Sequence, residues 1–172
     1  MHVGHILLVE AENAEEARDN VYSRLMGETN EPEWSDWHNV SAGSESFAGR
    51  WKGYYFGEDN EQDVLCYADN ASLAEEVILG QIAQRKKELD DYRQRILDEG
   101  YDIMSVDYDP YGESYDMKPY YVKKVAEILN DNWTPDSYVV DLENFTAGLS
   151  YFAKRVIENP EKQFLVVVDF HF

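Results

Sequence analysis

Between positions 34 and 56 the sequence reads W-S-D-W-H-N-V-S-A-G-S-E-S-F-A-G-R-W-K-G-Y-Y-F, and three of the chain's four tryptophans fall inside it. Tryptophan and tyrosine fit pleated, half-buried surfaces. Glycine within such a run marks a bulge or a close approach of another backbone. The stretch therefore predicts a hairpin, with strands over 34–40 and 47–56 and a turn through 41–46. The other elements are expected to pack around it.

Residues 3–9, Val-Gly-His-Ile-Leu-Leu-Val, are a short apolar run and predict a buried strand. A helix follows, with Asn13 as N-cap and Glu16 at capping-box spacing. Ala14, Ala17, Val21 and Leu25 share its apolar face. Residues 64–68 predict another strand. Ser72-Leu-Ala-Glu75 has capping-box form and predicts a long helix over 73–99. Its apolar face would hold Leu73, Val77, Ile78, Ile82, Leu89, Tyr92 and Ile96. Pro119 suits the first turn of a further helix, with Val122, Val125, Ile128 and Leu129 on its apolar side. A strand over 138–142 and a helix carrying Phe145, Leu149, Phe152, Ala153 and Val156 come next. The run Phe164-Leu-Val-Val-Val-Asp-Phe-His-Phe172 is the strongest strand signal, and its first half reads as central in a sheet.

This order predicts one α+β domain over 1–172. Its sheet is mixed and mainly antiparallel, with three to four helices packed on it, one of them long. A chain of 172 residues can bury a core without disulfides or metals. The one cysteine, Cys66, cannot form an internal disulfide and reads as a strand residue. The opening Met-His-Val-Gly-His lacks a basic region followed by a long apolar core, so no secretory signal is expected. No apolar run reaches membrane-spanning length. A cytoplasmic protein is expected.

Catalytic motifs are missing from the sequence. It holds no Gly-rich phosphate loop, nucleophile elbow or H-E-x-x-H. Asp107-Tyr-Asp109-Pro-Tyr-Gly112 has the opening of a calcium loop but puts Tyr111 and Lys118 where ligands are required. His2, His5, His38 and His171 have no spacing known for zinc. Neither a metal nor a cofactor is expected, and an enzyme is the less favoured class. Arg50-Trp51-Lys52, where two bases flank a tryptophan, supports an alternative: a small-molecule or nucleotide site, with Trp51 as a stacking surface. Strand alternation gives the competing reading, with Trp51 facing the core and the two bases facing water.

Charge is more informative. Thirty-five acids against fifteen bases give a net charge of -20. Such a chain repels nucleic acid and anionic membranes and attracts basic surfaces. The surplus is uneven. Residues 71–97 carry five acids and five bases, whereas 98–117 carry seven acids and no base. Salt adaptation would make the whole surface acidic, the long helix included.

The pattern Asp36-Trp37 … Gly49-Arg50-Trp51-Lys52-Gly53 resembles a D-W … G-R-W-x-G stretch of uncharacterised small phage and bacterial proteins. That resemblance covers about a tenth of the chain. It implies a phage-borne gene and no particular activity. Clustered carboxylates on a rigid frame can stand in for the phosphates of a nucleic acid. The expectation is a binding protein that inhibits a basic, nucleic-acid-handling partner such as a restriction or CRISPR effector. Its contacts would be Asp98, Glu99, Asp102, Asp107, Asp109, Glu113 and Asp116, with Tyr108, Tyr111 and Tyr115 as aromatic anchors. Glu58, Asp59, Glu61 and Asp63 would form a second patch.

Overall fold

The computed structural model describes residues 2–26, 37–40, 44–98, 118–129, 139–143 and 149–171. Five strands, β1 (His2–Glu10), β2 (Trp37–His38), β3 (Val64–Cys66), β4 (Val139–Asp141) and β5 (Gln163–His171), form one sheet. Among the described residues the α-helices are α1 (Ala14–Met26), α2 (Ala71–Asp98), α3 (Lys118–Leu129) and α4 (Leu149–Glu158). This is an α+β fold with a mixed, mostly antiparallel sheet. At 28 residues α2 is about 42 Å long.

The sheet runs β2-β5-β1-β4, with β3 also on β5. β1 and β5 pair antiparallel along their whole length, from His2 opposite His171 to Glu10 opposite Gln163. β4 is parallel to β1. β3 pairs the first half of β5 and β2 pairs its end. β5 therefore has strand partners on both sides at 164–166 and 170–171, in keeping with its largely apolar sequence. Eight of its nine residues are buried.

The molecule divides into two compact units. The first comprises residues 1–81 and 133–172 and holds the sheet, α1, α4 and the first turns of α2. Alternation along the strands splits its core into two layers. On one face Leu7, Val9, Val166, Val168 and Phe170 pack with Ala17, Val21 and Leu25 of α1 and with Phe47. On the other Ile6, Leu8, Leu165 and Val167 pack with Ala74 and Ile78 of α2, Phe152 of α4, and Ala48 and Phe56. Asn13 caps α1 through Oδ1, which accepts the Glu16 N–H at 3.0 Å. The second unit, residues 82–132, holds the rest of α2 and α3. There Ile96 and Tyr121 are buried, and the Tyr121 hydroxyl accepts a hydrogen bond from Arg95 at 3.0 Å.

Three local expectations are corrected. Residues 47–56 are not a strand. Gly49–Trp51 is a 3₁₀ turn and the chain continues in turns to Phe56. Gly49, Gly53 and Gly57 all have positive φ, which curls the segment where the aromatic pattern had implied extension. Second, the α2 cap is Asn70, whose Oδ1 accepts the Leu73 N–H at 3.2 Å; Ser72 lies exposed inside the first turn. Third, Ile82 remains 40% exposed, and Ala74, outside the predicted apolar face, is fully buried. The predicted strand and turn within 101–112 lie outside the described residues.

Candidate functional site

The loop between Gly53 and Val64 carries the second predicted acidic patch, and its hydrogen bonds are directed inward. Gly57 N–H donates to the Gly53 carbonyl at 3.1 Å, Asn60 N–H to that of Gly57 at 3.2 Å, and Asp63 N–H to that of Asn60 at 3.2 Å. The Asn60 side chain clamps Val64 on both sides, donating to its carbonyl at 2.8 Å and accepting its N–H at 3.2 Å. This Asn-centred turn fixes the loop without help from Glu58, Asp59 or Glu61.

Asp63 is the anchor of this loop, which corrects its place among the contact residues. It is fully buried, with φ +52. Its carboxylate accepts the Gly53 N–H at 2.8 Å and the Ser46 hydroxyl at 2.7 Å. Its carbonyl accepts the Val167 N–H of β5 at 3.1 Å. A buried carboxylate needs such donors, so Asp63 is committed to the fold. Glu58, Asp59 and Glu61 are exposed, and no ion pair joins them to another described residue.

Several of the bases pair with acids of the same chain. Arg155 pairs with the fully buried Asp141 at 2.8 Å, and also with Glu10 at 3.7 Å and Glu143 at 3.9 Å. Lys162 pairs with Glu12, Lys52 with Glu45, Arg93 with Asp90 and Arg85 with Glu88. Of the first predicted patch, Asp98 is exposed at the end of α2. Glu99, Asp102, Asp107, Tyr108, Asp109, Tyr111, Glu113, Tyr115 and Asp116 lie outside the described residues.

The alternative site centres on Trp51. Trp51 is half-buried and packs on the core layer of Ile6 and Leu8. Tyr55, beside it, donates its hydroxyl to the Gly4 carbonyl at 3.3 Å. Burial, and then the neighbouring Tyr54, push the Tyr55 hydroxyl pKa up to about 12. Arg50 and Lys52 point to solvent, and Tyr54 is 71% exposed. Part of the Trp51 ring is therefore committed to the core, with Arg50 and Lys52 exposed on either side of it in the sequence.

A cleft of ≈370 Å³ opens past the C-terminal ends of the parallel strands β1 and β4, lined by Val9, Leu142, Glu10, Asn20, Arg24 and Glu143. Crevices at such strand ends are common ligand sites. The wall of this cleft carries the carboxylates of Glu10 and Glu143, both of which also approach Arg155, together with one base, Arg24.

At the opposite end of β1 and β5, the Asp169 carboxylate is 1% exposed. It accepts the Arg50 N–H at 3.2 Å and lies 3.1 Å from His2 Nδ1. A β-carbon at Gly49 would stand 2.5 Å from Asp169 Oδ2, so glycine alone permits this approach. The His2 and His171 rings meet with centroids 5.0 Å apart. Sequence spacing missed this group because its members lie at opposite ends of the chain. The signal available was the matching length of the two apolar runs, which sets His2 opposite His171 once they pair.

Among the described residues no cluster of three or more potential metal ligands forms, and no helix is long and apolar enough to cross a membrane. No known family model, curated protein or solved structure matches this chain.

Proposed function

We propose that this chain is an acidic binding protein that occupies the basic, nucleic-acid-binding surface of a partner. The partner class is a restriction or CRISPR effector of a host defence system. In this reading the chain is phage-encoded, acts in the host cytoplasm, and mimics nucleic acid without catalysis. The D-W … G-R-W-x-G resemblance bears on its origin.

The observation that carries the reading is uncompensated, pre-ordered negative charge. Glu58, Asp59 and Glu61 project from a loop fixed by its own hydrogen bonds, while several bases pair with other acids of the chain. Carboxylates held in place lose little entropy when they meet cationic groups, and their field speeds the encounter. A net charge of -20 selects basic partners over acidic ones.

The test is inhibition of purified restriction nucleases and CRISPR effectors at low and physiological salt. At least one should be inhibited, with potency falling steeply as salt rises and with added DNA competing. Lack of binding to every such basic protein at low ionic strength would remove the reading.

A further inference from the structure

We propose that the cleft past the ends of β1 and β4 binds a small aliphatic amine, with its protonated head on the carboxylates of Glu10 and Glu143 and its stem on Val9 and Leu142. The cleft has a volume of ≈370 Å³. Small-ligand sites run from about 300 to 1,000 Å³, so this one suits a ligand of few atoms. Val9 and Leu142 are buried and supply its apolar surface, while Glu10 and Glu143 are exposed. Such a lining fits a short hydrocarbon body with one polar end. The site uses none of the acidic-loop residues and does not depend on the docking reading.

Hydrogen-bond accounting sets the charge of that polar end. Arg155 makes its close contacts with Asp141 at 2.8 Å and with the Gln163 side chain at 2.9 Å. It stands 3.7 Å from Glu10 and 3.9 Å from Glu143, too far for a hydrogen bond to either. Among the described residues neither carboxylate accepts a hydrogen bond. Glu10 bonds Asn20 through its carbonyl at 3.2 Å, and Glu143 bonds Asp141 through its N–H at 3.2 Å. Donating Nδ2 to Glu10 leaves Asn20 with Oδ1 as a further acceptor on the wall. Against the two carboxylates the lining sets one base, Arg24, while Arg155 is balanced by Asp141. A surplus of acceptors and of negative charge selects a cationic donor, and an ammonium has three N–H donors and no acceptor. The net charge of -20 raises the local concentration of such cations.

The experiment is titration of the isotope-labelled chain with pentane-1,5-diamine at physiological salt, followed by calorimetry and by amide chemical shifts. The expected result is one saturable site, with shifts centred on residues 9–10, 20–24 and 142–143. Pentan-1-ol, which has the stem without the charge, and pentanoate, which reverses it, should not bind there. Glu10→Gln and Glu143→Gln should each weaken binding by about tenfold or more, as loss of a charge-assisted hydrogen bond requires. Ser23→Phe, at an exposed position of α1 on the lining, should block the cleft, and circular dichroism checks that all three variants stay folded. The Glu58→Gln/Asp59→Asn/Glu61→Gln variant should bind as the parent does, which separates a built site from general attraction to an acidic chain. Nα-acetyl-lysine methylamide stands for a lysine presented by a protein and should bind more weakly than the diamine; tighter binding would assign the cleft to a protein side chain and overturn the small-molecule assignment. Unchanged affinity in both glutamate variants, equal binding of pentan-1-ol, loss of binding in the acidic-loop variant, or no saturable binding by the parent would each overturn the proposal.

Discussion

The indole of Trp51 lies against Gly4 so closely that a β-carbon at position 4 would stand 2.8 Å from its Cγ and Cδ2. One residue belongs to a turn and the other to β1, yet each determines what the other can be. Gly4→Ala should destabilise the protein by about 1–3 kcal/mol through overpacking. In a Trp51→Leu background the same change should cost much less. A double-mutant cycle in urea measures this coupling, and strictly additive effects would show that the two do not share the space.

Removing the Asp63 carboxylate orphans the Gly53 N–H and the Ser46 hydroxyl. Asp63→Ala should therefore cost at least about 1–3 kcal/mol. Glu61→Gln, at an exposed side chain, should stay within about 0.5 kcal/mol of the parent. Chemical denaturation of both variants checks the contrast; equal midpoints would mean that Asp63 is not an anchor.

Asn70→Ala should lower stability by about 0.5–2 kcal/mol by removing the α2 cap, and Ser72→Ala should leave it nearly unchanged. The reverse order would restore Ser72 as the capping residue.

The cap illustrates what the sequence made legible. β1, β5, α1 and the existence of α2 followed from apolar periodicity and from Asn13, because those signals are local. The choice between Asn70 and Ser72 did not, since either side chain can cap and the S-x-x-E spacing favoured the wrong one. Residues 47–56 misled for a related reason: aromatic content implied a pleated surface, while Trp51 satisfies its burial on a glycine 47 positions earlier in the chain. Asp63 looked like its three acidic neighbours because its donors come from Ser46 and Gly53. The His2–Asp169–His171 group needed strand register, which no spacing rule supplies.

Tyr55 gives a pH signature. Its folded pKa of about 12 lies above the ordinary tyrosine value of about 10, so the native state favours the neutral hydroxyl. That contribution is fully present below about pH 10 and is lost as pH rises toward about 12. Parent and Tyr55→Phe should thus differ in unfolding free energy by an amount that shrinks across this window. A constant difference from about pH 9 to about pH 12 would contradict the assignment.

The proposed electrostatic docking predicts a kinetic effect. Against a partner identified by inhibition, Glu58→Gln/Asp59→Asn/Glu61→Gln should slow association and flatten its salt dependence. Asp102→Asn/Asp107→Asn/Asp109→Asn/Glu113→Gln should do the same. A control removing Glu15, Asp19 and Glu76, all exposed and outside the ion pairs described, should have a smaller effect. Stopped-flow rates against ionic strength distinguish them; if all three variants associate alike, neither acidic stretch is a docking surface.

The strand at the middle of the sheet is also the last to be synthesised. β5 supplies one edge for β1 along its full length and the partner edge for both β2 and β3. While the ribosome is still making the chain, β1 must wait more than 150 residues for β5, and β2 and β3 have no ladder to join. The first unit's sheet therefore cannot be completed before β5 has left the ribosome, and the nascent chain carries apolar strands without that partner until then. Ribosome-stalled chains ending before Gln163 should be cut readily by protease, and chains extended far enough to release His171 from the exit tunnel should resist. For the cell making this protein, the exposed interval is fixed by translation speed, and chaperones that bind apolar strands would meet it before any partner does.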